Sequence, residues 1–151
     1  MLCTRPDIAY AVGALSKFSS NPKKSHMLAA RHLLRYVNKT ASLSLHFGPF
    51  QNTTTLCPVL YSDADWAGDQ ETRRSTGAYV CMLTDATMSS KSAVSWSSKK
   101  QQTIALSSTE AEYMALTQAA KEAIWVTRFM TELSASSMEE TPKGTTLYAD
   151  N

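Results

Sequence analysis

The segment VLYSDADWAGDQETRRSTGAYV, residues 59–80, places Asp63, Asp65 and Asp69 within seven positions of a strand-forming run. A second acidic group, Glu110 and Glu112, opens the apolar segment SSTEAEYMAL, and Asp150 stands at the tip of LYADN. Carboxylates repel one another and cost free energy when buried, so a convergent set calls for a solvated loop or a cation. Oxygen ligands without Cys or His favour a hard ion, Mg2+ or Mn2+, over zinc. Two such ions about 4 Å apart serve phosphodiester hydrolysis, one activating water and the other stabilising the leaving oxygen.

The elements that must position these acids follow from periodicity. VLYSDADW reads as a strand, and TGAYVCML (76–83) and SAVSWSS (92–98) follow as two more, giving an antiparallel meander. KKQQ then leads to a short strand-like edge, TIAL. Residues 107–133 form the clearest helix: Ser107 and Glu110 have capping-box spacing, and Leu116, Ala119, Ala123, Val126, Met130 and Leu133 run down one face. TTLYADN, after a polar linker, reads as a fourth strand, parallel to the first because a crossover helix precedes it. At about 100° per residue, Glu112 lies about 40° from Leu116 and faces the sheet, whereas Glu110 is free to serve the cap. Asp63 follows Val59 and Tyr61 by period-two alternation. Parallel neighbours bring Asp63 and Asp150 to one end of the sheet, beside the helix start that carries Glu112.

Upstream, Ile8, Ala11, Val12, Leu15 and Phe18 recur at helical spacing. Asn21 and Pro22 look like the start of a second helix running to about Asn38, with Met27, Ala30, Leu34 and Val37 on its apolar side and Lys24, Arg31 and Arg35 on the other. SLSLHF (42–47) alternates like a strand, and 48–55 reads as a connector. The expected organisation is a helical section, residues 1–55, and an α/β section, residues 56–151.

With 151 residues and 43% hydrophobic content, the chain is long enough to bury a core. No apolar run approaches the roughly 20 residues that span a bilayer, and the early Arg5 and Asp7 leave no signal-peptide region. Cys3, Cys57 and Cys81 are odd in number and widely spaced, which disfavours a disulfide framework and makes a reducing intracellular setting, cytoplasmic or nuclear, the expectation. Up to Ser62, seven Lys or Arg residues face the single acid Asp7, so this part carries +6 of a total +2 and the remainder carries −4. That contrast suits an anionic partner on one part and cations on the other. Phosphate-loop, dinucleotide, nucleophile-elbow and HExxH motifs are absent from the sequence.

YSDADWAGDQETRRSTGAYV, VSWSSKKQQTIALSSTEAEYMAL and LYADN together resemble the ribonuclease H domain of copia-type retrotransposon polyproteins. TRPDIAYAVGALSKFSSNP and AARHLLRYVNKT resemble the stretch between the reverse transcriptase and that domain. The resemblance covers nearly the whole chain. It implies a ribonuclease H-like α/β fold: a mixed sheet of an antiparallel three-strand meander plus a parallel fourth strand, a long crossover helix and two N-terminal helices. It also implies cleavage of the RNA strand of RNA–DNA hybrids with a divalent metal. The family's catalytic acids fall on Asp63, Glu112 and Asp150, with Asp65 a reserve ligand. The family's domain continues through further elements that bring a fourth carboxylate, whereas this sequence stops at Asn151. The expectation is that the N-terminal helices or a second copy of the chain cover the exposed surface. Arg73, Arg74, Lys99 and Lys100 bound the meander, where they suit sequence-independent phosphate contacts. The competing expectation is a non-catalytic nucleic-acid-binding or interaction fragment.

Overall fold

The computed structural model describes residues 4–50, 56–85, 87–137 and 144–149. The chain divides into two compact units, Met1–Leu45 and His46–Asn151, a boundary upstream of the connector at which the sequence divides. Residues 46–50 belong with the second unit: the Gly48 amide donates to Ser92 Oγ at 3.3 Å, and Ser90 Oγ donates to the Pro49 carbonyl at 2.9 Å.

In the first unit a 3-10 turn, Pro6–Ile8, runs into α1 (Ala9–Ser16), and α2 spans Lys24–Lys39. The second helix starts later than Asn21 and Pro22 suggest, because its first free amide finds a closer acceptor: the Lys23 N–H donates to His26 Nδ1 at 3.1 Å. The His26 ring in turn stacks on Phe18. Arg5 ties the two ends of the unit together. Its Nη2 donates to Asp7 Oδ2 at 2.8 Å and to Thr40 Oγ1 at 2.7 Å, while the Tyr36 hydroxyl donates to the same Asp7 oxygen at 2.9 Å.

The second unit carries β1 (Cys57–Ala64), β2 (Thr76–Thr84), β3 (Lys91–Lys100), α3 (Ser108–Ser137) and β4 (Thr146–Ala149). The sheet order is β3-β2-β1-β4, with β1, β2 and β3 antiparallel and β4 parallel to β1. This is the α/β architecture expected of a ribonuclease H-like fold. Residues 43–50 form no strand, and Leu43 and Phe47 are exposed: alternation alone makes no strand where the backbone finds no ladder partner. TIAL is likewise outside the sheet.

The face that α3 lays on the sheet keeps Ala119, Ala123, Val126 and Met130 of the stripe read from sequence and extends it through Ala111 and Ala115 rather than to Leu133. Ala111, Ala115, Ala119, Ala123 and Val126 are buried, packing with Leu60 and Cys81 and flanked by Tyr79, Met130 and Leu147, whereas Leu133 is 55% exposed. The reason is close approach: a Cβ at Gly77 would stand 3.3 Å from Ala115 Cβ, so only small residues fit between helix and strand. Burial, and then the charge of Glu122, pushes the Cys81 thiol up to about 11, which leaves it an inert core residue. Among the described residues no helix is long and apolar enough to cross a membrane.

Candidate functional site

The first turn of α3 is fixed by its own sequence. Ser107 Oγ accepts the Glu110 amide at 3.1 Å, and Glu110 Oε2 accepts the Leu106 amide at 2.6 Å, a capping arrangement that spends Glu110 on the helix start. Gln101 adds a second anchor that sequence reasoning missed. Its backbone N–H donates to the Ser75 carbonyl at 2.8 Å, and its side-chain amide donates to the Ala111 carbonyl at 2.8 Å, joining the end of β3 to α3. A glutamine in a loop gives no sequence signal for such a clamp.

These anchors set Glu112 against the end of β1. Glu112 is half-buried; its Oε1 accepts the Ala64 N–H at 3.2 Å, and its Oε2 is buried without a hydrogen-bond partner among the described residues. Asp63, the residue before Ala64, is exposed and pairs across the sheet with Ala78. Ser62, preceding it, is only 5% exposed, and its hydroxyl is a second buried oxygen without a partner among the described residues. Ser62 shares the α3-facing side of β1 with Leu60, and Asp63 alternates to the other side of the strand.

Asp150 lies outside the described residues. What the structure gives is the register of β4, which ends at Ala149: it pairs with β1 through Ser62↔Ala149, the position before Asp63. Among the described residues no three His, Cys, Asp or Glu side chains come together as a ligand set.

Asp65 follows the end of β1 and serves the backbone. Its Oδ1 accepts the Thr76 amide at 2.5 Å and its own N–H donates to the Thr76 carbonyl at 3.1 Å, closing the mouth between β1 and β2. Gly68 lies so close that a Cβ there would overlap the Asp65 carboxylate. Nearby, the Trp66 indole N–H donates to the Ala105 carbonyl at 3.2 Å, and the Ala67 amide donates to Ser75 Oγ at 3.0 Å. Asp69 Oδ1 caps the following turn by accepting the amides of Glu71 and Thr72.

The four cationic candidates meet at one corner of the sheet, because β2 and β3 pair through Thr76↔Lys100 and Gly77↔Lys99 and Arg73 and Arg74 immediately precede β2. Their states differ. Lys100 forms an ion pair with Asp69 and donates to Thr72 Oγ1 at 3.2 Å, while Arg73, Arg74 and Lys99 are exposed. Between β3 and α3 runs a groove of about 700 Å³ whose lining includes Lys99, Lys100, Gln101, Gln118, Lys121 and Glu122. Glu122 is engaged there, accepting the Ser95 hydroxyl at 2.6 Å.

The chain is similar to secreted RxLR effector protein 161 of Plasmopara viticola, 50% identical over 127 residues that cover 84% of this chain and 83% of that protein. It is 45% identical over 141 residues to the retrovirus-related Pol polyprotein from transposon TNT 1-94 of Nicotiana tabacum, covering 92% of this chain and 10% of the polyprotein. To the Pol polyprotein from transposon RE1 of Arabidopsis thaliana it is 40% identical over 130 residues, 86% of this chain and 8% of that one. The chain thus spans about a tenth of the polyproteins it matches. No family model and no solved structure matches the chain.

Proposed function

The chain belongs to the family shared by secreted RxLR effector protein 161 and the copia-type retrotransposon Pol polyproteins, and on that premise we propose that it is a divalent-metal-dependent endonuclease of the ribonuclease H type, acting on the RNA strand of RNA–DNA hybrids. One observation carries the reading: Glu112 extends a half-buried carboxylate to the end of β1, with one oxygen on the amide next to Asp63 and the other buried without a partner among the described residues. Structural carboxylates are normally satisfied by the protein, so a buried carboxylate oxygen left without a partner among the described residues favours a ligand over a strut.

In this reading Asp63, Glu112 and Asp150 hold Mg2+ or Mn2+, which supplies the Lewis-acid chemistry of phosphodiester hydrolysis. The protein's own part is orientation. Ala64 holds one Glu112 oxygen by its N–H, so the other is presented in a fixed direction without a side-chain rearrangement. Asp65 holds the β1–β2 mouth in shape, a supporting role beside the ligands. The exposed Arg73, Arg74 and Lys99 lie at one corner, where they contact the hybrid backbone without reading its sequence.

The test is cleavage of an end-labelled RNA–DNA hybrid in Mg2+ or Mn2+ by the wild type and by Asp63→Asn, Glu112→Gln and Asp150→Asn. Cleavage lost in all three variants supports the assignment. Equal cleavage in wild type and Asp63→Asn, or hybrid binding with no cleavage in any protein, defeats it and leaves a non-catalytic nucleic-acid-binding fragment of retrotransposon origin.

A further inference from the structure

A basic groove and an exposed aromatic pair lie end to end on one flank of α3. Lys99 pairs across the sheet with Gly77, at which a Cβ would meet Ala115, so Lys99 stands on the α3 side of β3. With Gln118 and Lys121 it lines the groove of about 700 Å³ between β3 and α3. Trp125 and Phe129 follow Gln118 by seven and eleven residues, about 20° to either side of it, and carry the same flank past the groove. Arg128 follows Lys121 by seven along the outer rim. Lys99, Lys121 and Arg128 are exposed. Glu122 and Glu132, the carboxylates beside them, are both engaged, Glu122 with the Ser95 hydroxyl at 2.6 Å. Trp125 is 59% exposed and Phe129 47%, and their rings stack 5.5 Å apart with planes 4° from parallel. Phe129 covers one indole face from the next turn, which leaves the opposite face turned back toward Lys121 and the groove.

We propose that this flank is a binding track for single-stranded nucleic acid. Charge complementarity and ring geometry select that occupant together. Lys99, Lys121 and Arg128 suit a phosphate backbone, and an indole face open to water suits an unpaired base. Paired bases in a duplex are covered by their neighbours in the stack and offer such a ring no face. An apolar protein segment would bury the rings and leave the cations beside them without counter-charges. The track starts at the corner that holds Lys99 and runs along α3 away from the acids at the end of β1. It relies on Lys121, Trp125, Arg128 and Phe129, none of which the nuclease reading requires, so it stands or falls independently of that reading.

Fluorescence anisotropy of a labelled oligothymidine with the full chain tests it, in EDTA so that no metal chemistry enters. Wild type is expected to bind, with an affinity that falls as salt rises. Trp125→Ala weakens binding about tenfold or more and leaves the salt slope unchanged, and Trp125→Phe restores most of the loss, because a phenyl ring still stacks. Lys121→Ala and Arg128→Ala each reduce the salt slope by about 0.7, the value for one phosphate of a single strand. Circular dichroism of every variant separates loss of binding from loss of fold, since all these side chains are exposed. A wild type that does not bind oligothymidine at low salt overturns the proposal. So does a well-folded Trp125→Ala that binds as tightly as wild type, which is the outcome if this flank docks a protein instead.

Discussion

The amide of Ala64 donates to Oε1 of Glu112 at 3.2 Å across 48 positions of sequence, joining the end of β1 to the first turns of α3. The bond fixes where the remaining Glu112 oxygen points, and among the described residues that oxygen is buried without a partner. Burying such a group costs stability, and under the proposed function the return is a pre-oriented ligand.

Glu112→Gln therefore separates stability from function. The amide oxygen keeps the bond to Ala64 while the charge is removed from a half-buried position, so in the absence of divalent ions the variant melts at or above the wild-type temperature, with a gain of about 1 kcal/mol. Mg2+ or Mn2+ raises the wild-type melting temperature and leaves that of the variant unchanged. Equal metal-induced shifts in the two proteins would remove Glu112 from the ligand set.

Asp65 and Gly68 are predicted to be coupled. Asp65→Ala loses the Thr76 amide bond and costs about 1–3 kcal/mol by leaving that donor unpaired. Gly68→Ala drives a methyl group into the carboxylate and costs a similar about 1–3 kcal/mol. With the carboxylate gone the clash goes too, so the double variant is more stable than the sum of the single losses implies. Urea denaturation of the three variants reads the coupling, and strict additivity would show that the two residues do not touch.

Lys99 and Lys100 are neighbours in sequence with different predicted effects. Lys99 is exposed, so Lys99→Ala weakens hybrid binding and reduces the salt slope by about one unit, with no change in melting temperature. Lys100 is committed to Asp69 and Thr72, so Lys100→Ala lowers the melting temperature by loosening the β1–β2 loop. Fluorescence anisotropy at several salt concentrations, beside a thermal melt, distinguishes them. Interchangeable profiles would refute the assignment.

What was legible in the sequence was what depends on local geometry. The α/β order, the meander, the parallel fourth strand and the capping role of Glu110 follow from period and spacing within single elements. Features decided across the chain were not legible. The buried face of α3 holds the expected Ala119, Ala123 and Val126 but runs on through Ala111 and Ala115, because Gly77 on another strand brings the backbone close, while Leu133, which hydrophobicity added to the stripe, is exposed. Residues 42–47 alternate well, yet strand formation needs a neighbour. Asp65 shares its motif with Asp63, but the Thr76 amide that claims it stands 11 residues away.

The last prediction concerns the helical unit and pH. Arg5 donates two hydrogen bonds to Asp7 and Tyr36 donates one, and these hold the Asp7 carboxyl at about 2, below its ordinary 3.8. A carboxyl depressed in the folded state binds fewer protons than in the unfolded chain, so its contribution is complete above the ordinary value and is lost as pH falls through about 2. Because the group is on the surface, the effect on global stability is small, and the titration itself is the better readout. Carboxyl carbon NMR is expected to give an Asp7 midpoint near 2 in the wild type. Arg5→Ala moves it up furthest, since the Arg5 hydrogen bonds are the largest cause, and Tyr36→Phe moves it less. The link between the turn before α1 and the end of α2 should weaken in the same order, read as faster amide exchange at Thr40. A wild-type midpoint at the ordinary carboxylate value would mean that the Arg5, Asp7 and Tyr36 cluster does not form in solution.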